Sequence, residues 1–310
     1  MVGNLLKARA TVLVFDTSAE AMAAAERVGA VPAKIEEVAQ RANIVFSAVP
    51  DDAALRSVSS KLLPELASQV AADGDRRVHV SCSTVSPEVS QELADAHSAR
   101  DVGFVSAPVF ARPDGMRRGE ATIPVSGPVW AKELAIPVLR KTASVVRDFG
   151  KDAAAANVVK LGGNFLIAAA IEAMAEACAL AENHHVERED FIDLMSSTIF
   201  DCLIYKGYGQ RVAERDHFPH PDAHFALDLG SKDMALVHQA ASKARCPMPM
   251  ASLLRDRFLT AQNCGRGKLD WSAVALRASE DAGVDLRPPL PAFLAKTARR
   301  AAAASGRGAK

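Results

Sequence analysis

Lys160 and Asn164 stand four residues apart in an otherwise apolar segment, Asn157 to His185. In a helix this spacing places both side chains on one face. Burial lowers the pKa of a lysine, so that it can exchange a proton with a hydroxyl or carbonyl group near neutral pH, as an arginine cannot. Gly162 and Gly163 weaken the helix, which close approach of a ligand or a packed domain would explain. The pattern predicts proton-transfer chemistry or, equally, a lysine that reaches water from the first helical turn beside glycines that serve helix packing.

Further candidate residues follow predicted parallel strands. Asp16 closes the strand predicted over 10–16, where a carboxylate either accepts both hydroxyls of an adenosine ribose or simply begins the turn into Thr17 and Ser18. The segments SAVPDD and SCSTVSP follow two more strands, at the sheet edge where open α/β sheets bind ligands. Their polar residues suit cofactor contact and helix capping equally well: Asp51, Asp52, Ser83, Thr84 and Ser86. Lys232 and Asp233 begin a later amphipathic helix, where the pattern alone favours a solvated cap.

The histidines and cysteines indicate neither a metal site nor disulfides. Histidines at 184, 185, 217, 220 and 224 lack a helical pair with a supporting carboxylate, so we expect surface loop residues and no metal. The five cysteines are scattered without a C-x-x-C pair, which predicts reduced thiols in a reducing compartment.

Two kinds of element must position these residues. In the first half, apolar strands alternate with helices, which predicts a doubly wound α/β domain with a mostly parallel sheet. The strands are predicted near 10–16, 42–50, 77–84, 102–110, 121–128 and 144–150, and the helices near 18–30, 51–66, 86–99 and 129–142. Beyond about residue 152 the pattern is helical. We therefore expect an α/β domain over 1–152, an all-α domain over 153–294 and a flexible tail over 295–310.

Composition excludes several classes of partner. Lys plus Arg and Asp plus Glu number 37 each, so no overall basic field attracts nucleic acid or an anionic membrane surface. The most apolar stretch, from Asn164, is interrupted by Glu172 and Glu176 and reads as a buried helix rather than a membrane span. No secretory signal is evident. We expect a cytoplasmic protein, or a mitochondrial one if an upstream segment is missing.

Several motifs in order resemble the β-hydroxyacid dehydrogenase family. They run from Met1 to about Val274: NLLKA…VFD, NIVFSAVPDDAAL, CSTVSPE, APV, KLGGNFL…EAMAEACALAE and SKDMALV…PMPMASLLRDRF…GKLDWSAV. This family includes 3-hydroxyisobutyrate dehydrogenases and glyoxylate/succinic semialdehyde reductases, and it is related to 6-phosphogluconate dehydrogenase. The resemblance implies a Rossmann-like NAD(P)-binding domain, a helical second domain and a homodimer or homotetramer. It also implies hydride transfer between the nicotinamide and a small hydroxy acid, aldehyde or keto acid.

The resemblance also assigns residues to roles. It makes Lys160 the general acid/base and Asn164 the residue that orients the substrate. The positions that match cofactor contacts are Asp16, Val49, Pro50, Ala54, Thr84 and Lys232. Ser83, Phe225 and Asp233 match the substrate side, with the Ser83–Thr84 pair touching both. Asp16 matches an acid of NAD-using members, so NAD is favoured over NADP.

Two departures from the family qualify these expectations. Phe110, Ala111 and Arg112 replace a Ser-Gly-Gly that holds a substrate carboxylate, so the pocket must differ in shape. We count Phe110 and Arg112 as substrate-side residues, and Arg112 either clamps a carboxylate with two hydrogen bonds or faces water.

The second departure is at the start. In the family a strand and a G-x-G-x-x-G turn precede NLLKA, whereas this sequence begins within that helix. We expect a sheet without its first, central strand and without the loop that holds the pyrophosphate, so that the neighbouring strands either pair anew or leave two edges. Either an upstream start is omitted from the sequence of an enzyme, or the chain is a non-catalytic remnant that dimerises or binds a partner. Lys160 argues against an imine-reducing relative, since that group often lacks the lysine.

Overall fold

The computed structural model describes residues 1–219 and 224–284, in which an α/β region precedes a helical region. The strands are β1 Leu13–Val14, β2 Val31–Pro32, β3 Ile44–Ser47, β4 Val78–Ser81, β5 Gly103–Ser106, β6 Ala121–Val125 and β7 Ala143–Asp148. The helices of this region are α1 Val2–Lys7, α2 Ala19–Arg27, α3 Ile35–Arg41, α4 Asp52–Asp73, α5 Pro87–Ser98, α6 Pro113–Arg118 and α7 Val129–Leu139. The tail expected over 295–310, the end of the expected helical domain and His220 lie outside the described residues.

The second region is helical, as expected. Its elements are α8 Ala155–Asn183, α9 Arg188–Ser197, α10 Leu203–Glu214, α11 Leu227–Lys243, α12 Pro249–Asn263, a 3-10 helix Trp271–Ala275 and α13 Leu276–Asp281. An α/β part with parallel strands followed by helices confirms the predicted fold class.

The strands form parallel pairs in three separate groups: β1–β2, β3–β4–β5 and β6–β7. An antiparallel bridge between Ser106 and Ser126 links β5 to the segment after β6. Within residues 1–219 and 224–284 no ladder joins β1 to β3. The neighbouring strands were expected either to pair anew or to leave two edges, and the structure has unpaired edges.

Capping signals in the sequence place several helices correctly. Ser18 accepts a hydrogen bond from Ala21 N and begins α2, and Gly29 follows the helix with φ +99°. Ser86 caps α5, with Pro87 in its first turn. Because each cap depends on only a few neighbouring residues, these signals hold independently of the tertiary structure.

Three short elements were not predicted, and the strand expected over 10–16 is only Leu13–Val14. In α3 the side chain of Glu37 accepts from Lys34 N, and Ile35 is buried against α4. The helix α6 buries none of its residues, so its sequence lacks the periodic apolar positions that predict an amphipathic helix. β2 is as short as β1.

The helix α8 forms the centre of the helical region. By length and composition alone this helix could cross a membrane, but the buried core helix of a soluble protein meets the same criteria. In the structure Ile171, Ala175 and Cys178 are fully buried, and α8 packs against α9, α10, α11, α12 and α13. The sequence prediction of a buried helix matches this packing.

Candidate active site

Lys160 is buried in the first half of α8, with 8% of its surface exposed. Its Nζ donates a 3.0 Å hydrogen bond to Asn164 Oδ1 and lies 4.1 Å from the centre of the Phe110 ring. Burial lowers the pKa of Lys160 to about 8, while the nearby Asp233 carboxylate opposes this shift. Lys160 therefore does not extend to water, which was the second interpretation of its sequence pattern.

Asn164 connects Lys160 to an acid on another helix. Its Nδ2 donates a 2.6 Å hydrogen bond to Oδ2 of Asp233, which belongs to α11 and is 1% exposed. The Lys232 Nζ lies 2.9 Å from the other Asp233 oxygen. The polar groups therefore follow one another as lysine, amide, carboxylate and lysine inside an apolar surrounding. The prediction that Lys232 and Asp233 begin the helix as a solvated cap is wrong, because α11 begins at Leu227 and tertiary packing buries Asp233 in its second turn.

Lys232 also ties α11 to the α/β region. Its Nζ donates to Pro50 O at 3.0 Å and to Thr84 O at 2.7 Å. Pro50 follows β3 and Thr84 follows β4, so one ammonium group holds two loops at the carboxyl ends of neighbouring strands. The two loops and α11 thus form one site.

The same loops are fixed from below by side chains. Ser83 Oγ accepts from Val49 N at 2.8 Å, which joins the loop after β4 to the loop after β3. Asn157, which sequence analysis did not single out, accepts from Val85 N and donates to Ser90 Oγ while fully buried. Its place three residues before Lys160, on the same helix, was the available signal.

A cavity of about 210 Å³ lies between the two loops and α11. Its lining contains most of the residues predicted for the site, and the full set is Ala48, Val49, Pro50, Cys82, Ser83, Thr84, Phe225, Leu229, Lys232 and Asp233. This volume is below the roughly 300–1,000 Å³ of pockets for drug-sized ligands, so the cavity suits a single ring or a small substrate. Phe225 is held there by edge contact with Trp271, at 5.1 Å between ring centres.

Two predicted cofactor residues lie outside this cavity. Asp16 is exposed just after β1, and its Oδ1 accepts from Ser18 N at 2.8 Å, which is the turn-initiating contact. Ala54 is half-buried in the first turn of α4, where its N–H donates to Asp51. Asp51 therefore acts as a cap.

Arg112 is engaged by the protein's own groups. Its Nη2 lies 3.1 and 3.2 Å from the two carboxylate oxygens of Asp270, which is fully buried. Its guanidinium stacks over the Tyr208 ring, 4.5 Å from the centre, and its Nε donates to the Tyr208 hydroxyl. Arg112 therefore links α6 to the helical region instead of facing water, and its role as a carboxylate clamp stays a prediction.

Among the described histidines predicted in surface loops, His217 is buried and His224 is half-buried, contrary to that expectation. His217 is 3% exposed, and its Nδ1 lies 3.0 Å from Ser272 Oγ. Its predicted exposure was wrong because the loop before residue 220 folds under the 3-10 helix, where Asp270 N donates to His217 O. His184 and His185 are exposed as expected.

Comparison with known proteins places this geometry in a family. The model for the NAD binding domain of 6-phosphogluconate dehydrogenase matches residues 1–160. The model for the NAD-binding of NADP-dependent 3-hydroxyisobutyrate dehydrogenase matches residues 154–278. The Bacillus subtilis (strain 168) protein described as uncharacterized oxidoreductase YfjR is 33% identical over 76% of this chain and 80% of its own length.

Two further relatives agree with these matches. L-threonate dehydrogenase of Escherichia coli (strain K12) is 31% identical over 62% of each chain. The crystal structure of 3-hydroxyisobutyrate dehydrogenase from Salmonella typhimurium superposes with a TM-score of 0.77 at 28% identity, over 89% of this chain and 94% of that one. The chain therefore belongs to the β-hydroxyacid dehydrogenase family and is an NAD(P)-dependent oxidoreductase.

Proposed function

We propose that the chain interconverts a small hydroxy acid and the corresponding aldehyde or keto acid, with Lys160 as general acid/base. The observation that carries this proposal is the buried Lys160 ammonium beside Asn164, with a pKa lowered to about 8. A general acid/base works best when its pKa is near the operating pH. NAD or NADP supplies the nicotinamide that accepts or provides the hydride when bound.

Lys160 moves the proton of the reaction. When an alcohol is oxidised, the neutral amine accepts the hydroxyl proton and becomes the ammonium. When a carbonyl is reduced, the ammonium gives that proton back to the oxygen. Asn164 orients the substrate oxygen toward Nζ, because Asp233 fixes the direction of its amide. Ser83, Thr84, Phe225 and Asp233 line the adjoining cavity, which Asp233 connects to Asn164 through their hydrogen bond.

The chain's residues fit a nicotinamide cofactor at the cavity already described. The cavity opens at the carboxyl ends of β3 and β4, where α/β folds bind dinucleotides. Val49, Pro50, Thr84 and Lys232 would hold the nicotinamide side. Ala54 lies further along the same loop and helix.

Asp16 supports NAD as the preferred cofactor. It is exposed after β1, and an acid at this place accepts ribose hydroxyls and repels a 2′-phosphate. Among residues 1–219 and 224–284 its Oδ2 has no hydrogen-bond partner, so this oxygen can meet a ribose while Oδ1 keeps its contact with Ser18 N.

We also propose that the chain forms a homodimer or homotetramer in the cytoplasm. Large apolar side chains are exposed on contacting parts of the helical region: Leu166, Leu194, Ile199 and Leu203. Such surface is usually covered by a partner. The five cysteines are free thiols, a state that is compatible with a reducing compartment. Light scattering during size exclusion tests the assembly, and a monomer at micromolar concentration contradicts it.

The experiment for the proposed activity combines binding and turnover. NADH and NADPH are titrated against the intact chain by fluorescence, and consumption of NADH is then followed with a panel of small aldehydes and keto acids. Binding together with turnover of at least one carbonyl compound is expected. A folded chain that binds neither dinucleotide contradicts the proposal.

A further inference from the structure

Asn157 holds a peptide group that borders the cavity, and this inference rests on the function proposed above. We propose that Asn157 is a positioning residue for the reaction. It fixes the Thr84–Val85 peptide group against α8, and thereby sets where the nicotinamide side of the site lies relative to Lys160. Reduction of a carbonyl brings a hydride to its carbon and a proton to its oxygen, so the two sources must keep a constant separation. Asn157 acts from outside the set of residues that line the cavity.

The first argument is the arrangement of polar residues on α8. Asn157, Lys160 and Asn164 are spaced by three and four residues, so they lie along one face of the helix. All three are buried, with 0%, 8% and 3% of their surfaces exposed. Lys160 and Asn164 carry the proposed proton transfer, and Asn157 continues their row by one turn toward the start of α8. The same helix therefore carries the proton donor and the Asn157 amide.

The second argument is that two helices hold one peptide group. The carbonyl oxygen of Thr84 accepts from Lys232 Nζ at 2.7 Å, and the N–H of Val85 donates to Asn157 Oδ1 at 3.2 Å. These two backbone groups belong to the same peptide bond, whose atoms lie in one plane. Lys232 on α11 and Asn157 on α8 therefore fix both polar groups of that plane. Thr84 lines the cavity, on the side proposed for the nicotinamide.

The third argument is that these contacts form a closed ring. From the Thr84–Val85 peptide, Lys232 leads to Asp233, and the Asp233 carboxylate accepts from Asn164 on α8. Asn157 on the same helix closes the ring by its bond to the peptide. If Asn157 is removed, the remaining bonds of this ring tie the peptide to α8 only by way of α11. The Asn157 contact thus joins the cofactor side of the site directly to the helix that bears the lysine.

The fourth argument is that the Asn157 amide has one orientation. The N–H of Val85 only donates, so the amide oxygen must face it. The amide Nδ2 then donates to Ser90 Oγ on α5 at 2.9 Å. Both ends of the amide are used. Leucine, which has a similar size but no polar atoms, would leave the buried Val85 N–H without this acceptor.

The test compares Asn157→Leu, which removes both hydrogen bonds, with Ser90→Ala, which keeps the bond to Val85. Single turnover of bound NADH is followed with glyoxylate or succinic semialdehyde, whichever the wild-type chain reduces faster. At saturating aldehyde the rate of NADH oxidation should fall by about 10- to 100-fold in Asn157→Leu. It should stay within about twofold of the wild type in Ser90→Ala. Asn183→Leu, at an exposed asparagine that ends the same helix, is the matched control and should keep the wild-type rate.

A second readout needs neither cofactor nor substrate. Hydrogen exchange of the Val85 amide should become about tenfold faster in Asn157→Leu, because its acceptor is lost, and should not change in Ser90→Ala. Urea unfolding separates stability from positioning. Ser90→Ala leaves the buried Asn157 Nδ2 without its acceptor, so this variant should be less stable than the wild type and still keep the rate.

Each outcome separates this inference from the function beneath it. An unchanged rate in a folded Asn157→Leu chain overturns the inference and leaves the proposed function intact, as does unchanged exchange of the Val85 amide. Equal losses of rate in Asn157→Leu and Ser90→Ala would reflect a general loss of structure and overturn the inference as well. Should Asn157→Leu fail to fold, Asn157→Ala takes its place with the same expected results. Turnover of neither aldehyde by a wild-type chain that binds NADH contradicts both proposals.

Discussion

Asn164 Nδ2 donates a 2.6 Å hydrogen bond to Asp233 Oδ2. An ionised carboxylate only accepts hydrogen bonds, so this contact fixes which end of the amide faces Asp233. The amide oxygen must then face Lys160, where it accepts from Nζ at 3.0 Å. The acid on α11 thereby orients the group that would position a substrate oxygen, without itself touching the Lys160 ammonium within the described contacts.

Removing the Asp233 charge should shift the pH dependence downwards. Asp233 raises the pKa of Lys160 against the larger effect of burial, so Asp233→Asn should lower that pKa further below about 8. In alcohol oxidation, where the neutral amine is needed, the rise of kcat/KM with pH should move to lower pH by about one unit. Asp228→Asn on the same helix serves as the control. A midpoint that stays in place or rises contradicts the assignment of this profile to Lys160.

Asp16→Asn should relax cofactor discrimination. Asparagine keeps the oxygen that accepts from Ser18 N, so the turn persists while the charge is lost. The ratio of the dissociation constants for NADPH and NADH should fall by about tenfold, or roughly 1.4 kcal/mol. Fluorescence titration measures both constants, with the exposed Asp95→Asn as control. A ratio that does not change places the selection of NAD elsewhere.

The Arg112–Asp270 pair should matter for stability. Arg112→Leu leaves a fully buried carboxylate without its guanidinium, a loss typically worth about 3–5 kcal/mol. Arg118 ends α6, which Arg112 precedes, but its side chain is more than half exposed in its ion pairs, so Arg118→Leu should change stability far less than Arg112→Leu. Urea unfolding gives both values. Equal small effects would mean that Asp270 is satisfied without Arg112.

A chain of buried hydrogen bonds runs through the α/β region from Ser47 through His79 and His97 to Leu93 O. The carbonyl of Leu93 only accepts, so the neutral His97 carries its proton on Nδ1 and accepts from His79 through Nε2. His79 must then donate from Nδ1 and accept the Ser47 hydroxyl proton through Nε2. A further proton on either ring places a charge in this buried chain and forces its hydrogen bonds to reverse toward the Ser47 hydroxyl, which can also accept.

Acid should therefore destabilise the fold through these rings. Burial lowers the pKa of His97 to about 4 and holds the pKa of His79 well below 6.5. The unfolded histidines bind protons first, so stability is fully present above pH 6.5 and falls as the pH decreases toward 4. His97→Gln should flatten this fall in urea unfolding, while the exposed His184→Gln should keep it. If the free energy of unfolding falls equally with decreasing pH in the wild type and both variants, other groups cause the acid sensitivity.

Local signals carry much of this fold. Ser18, Ser86 and Pro87 begin helices where the sequence predicts them, since a cap depends on a few neighbouring residues. The spacing of Lys160 and Asn164 on a helix predicted that they face the same way, and they are hydrogen bonded. The helix α6 escaped prediction because it buries no side chain.

Contacts between distant segments were beyond the sequence. Arg112 and Asp270 are 158 residues apart, and no local pattern indicates that one will neutralise the other. Asp233 looks like an ordinary acid in a first helical turn until α8 packs against it. His217 likewise reads as a loop residue, because only tertiary packing buries it. The ring of Phe110 over Lys160 depends on Gly163, which the sequence showed only as a weak point in a helix.

Lys160→Met should stabilise the folded chain, because the wild-type lysine has a pKa lowered to about 8 against 10.5 when unfolded. Such a group opposes folding below pH 8, since the unfolded chain holds the proton more tightly, and the opposition fades as the pH rises to 10.5. Lys160→Met should therefore raise the free energy of unfolding at pH 7 by about 1–3 kcal/mol. Urea unfolding at pH 7 checks this, and a less stable variant would contradict the burial of a charged lysine.

The most direct test of the account is the turnover of Lys160→Met and Lys160→Arg in chains that still bind NADH. Methionine has no proton to transfer, and arginine keeps the charge but cannot release its proton. Both variants should therefore lower kcat by about 10²–10⁴-fold. The dissociation constant of NADH should stay within about twofold, because Lys160 lies outside the set of residues lining the cofactor cavity. Turnover near the wild-type rate in either variant, with NADH bound, would contradict the assignment of Lys160 as general acid/base.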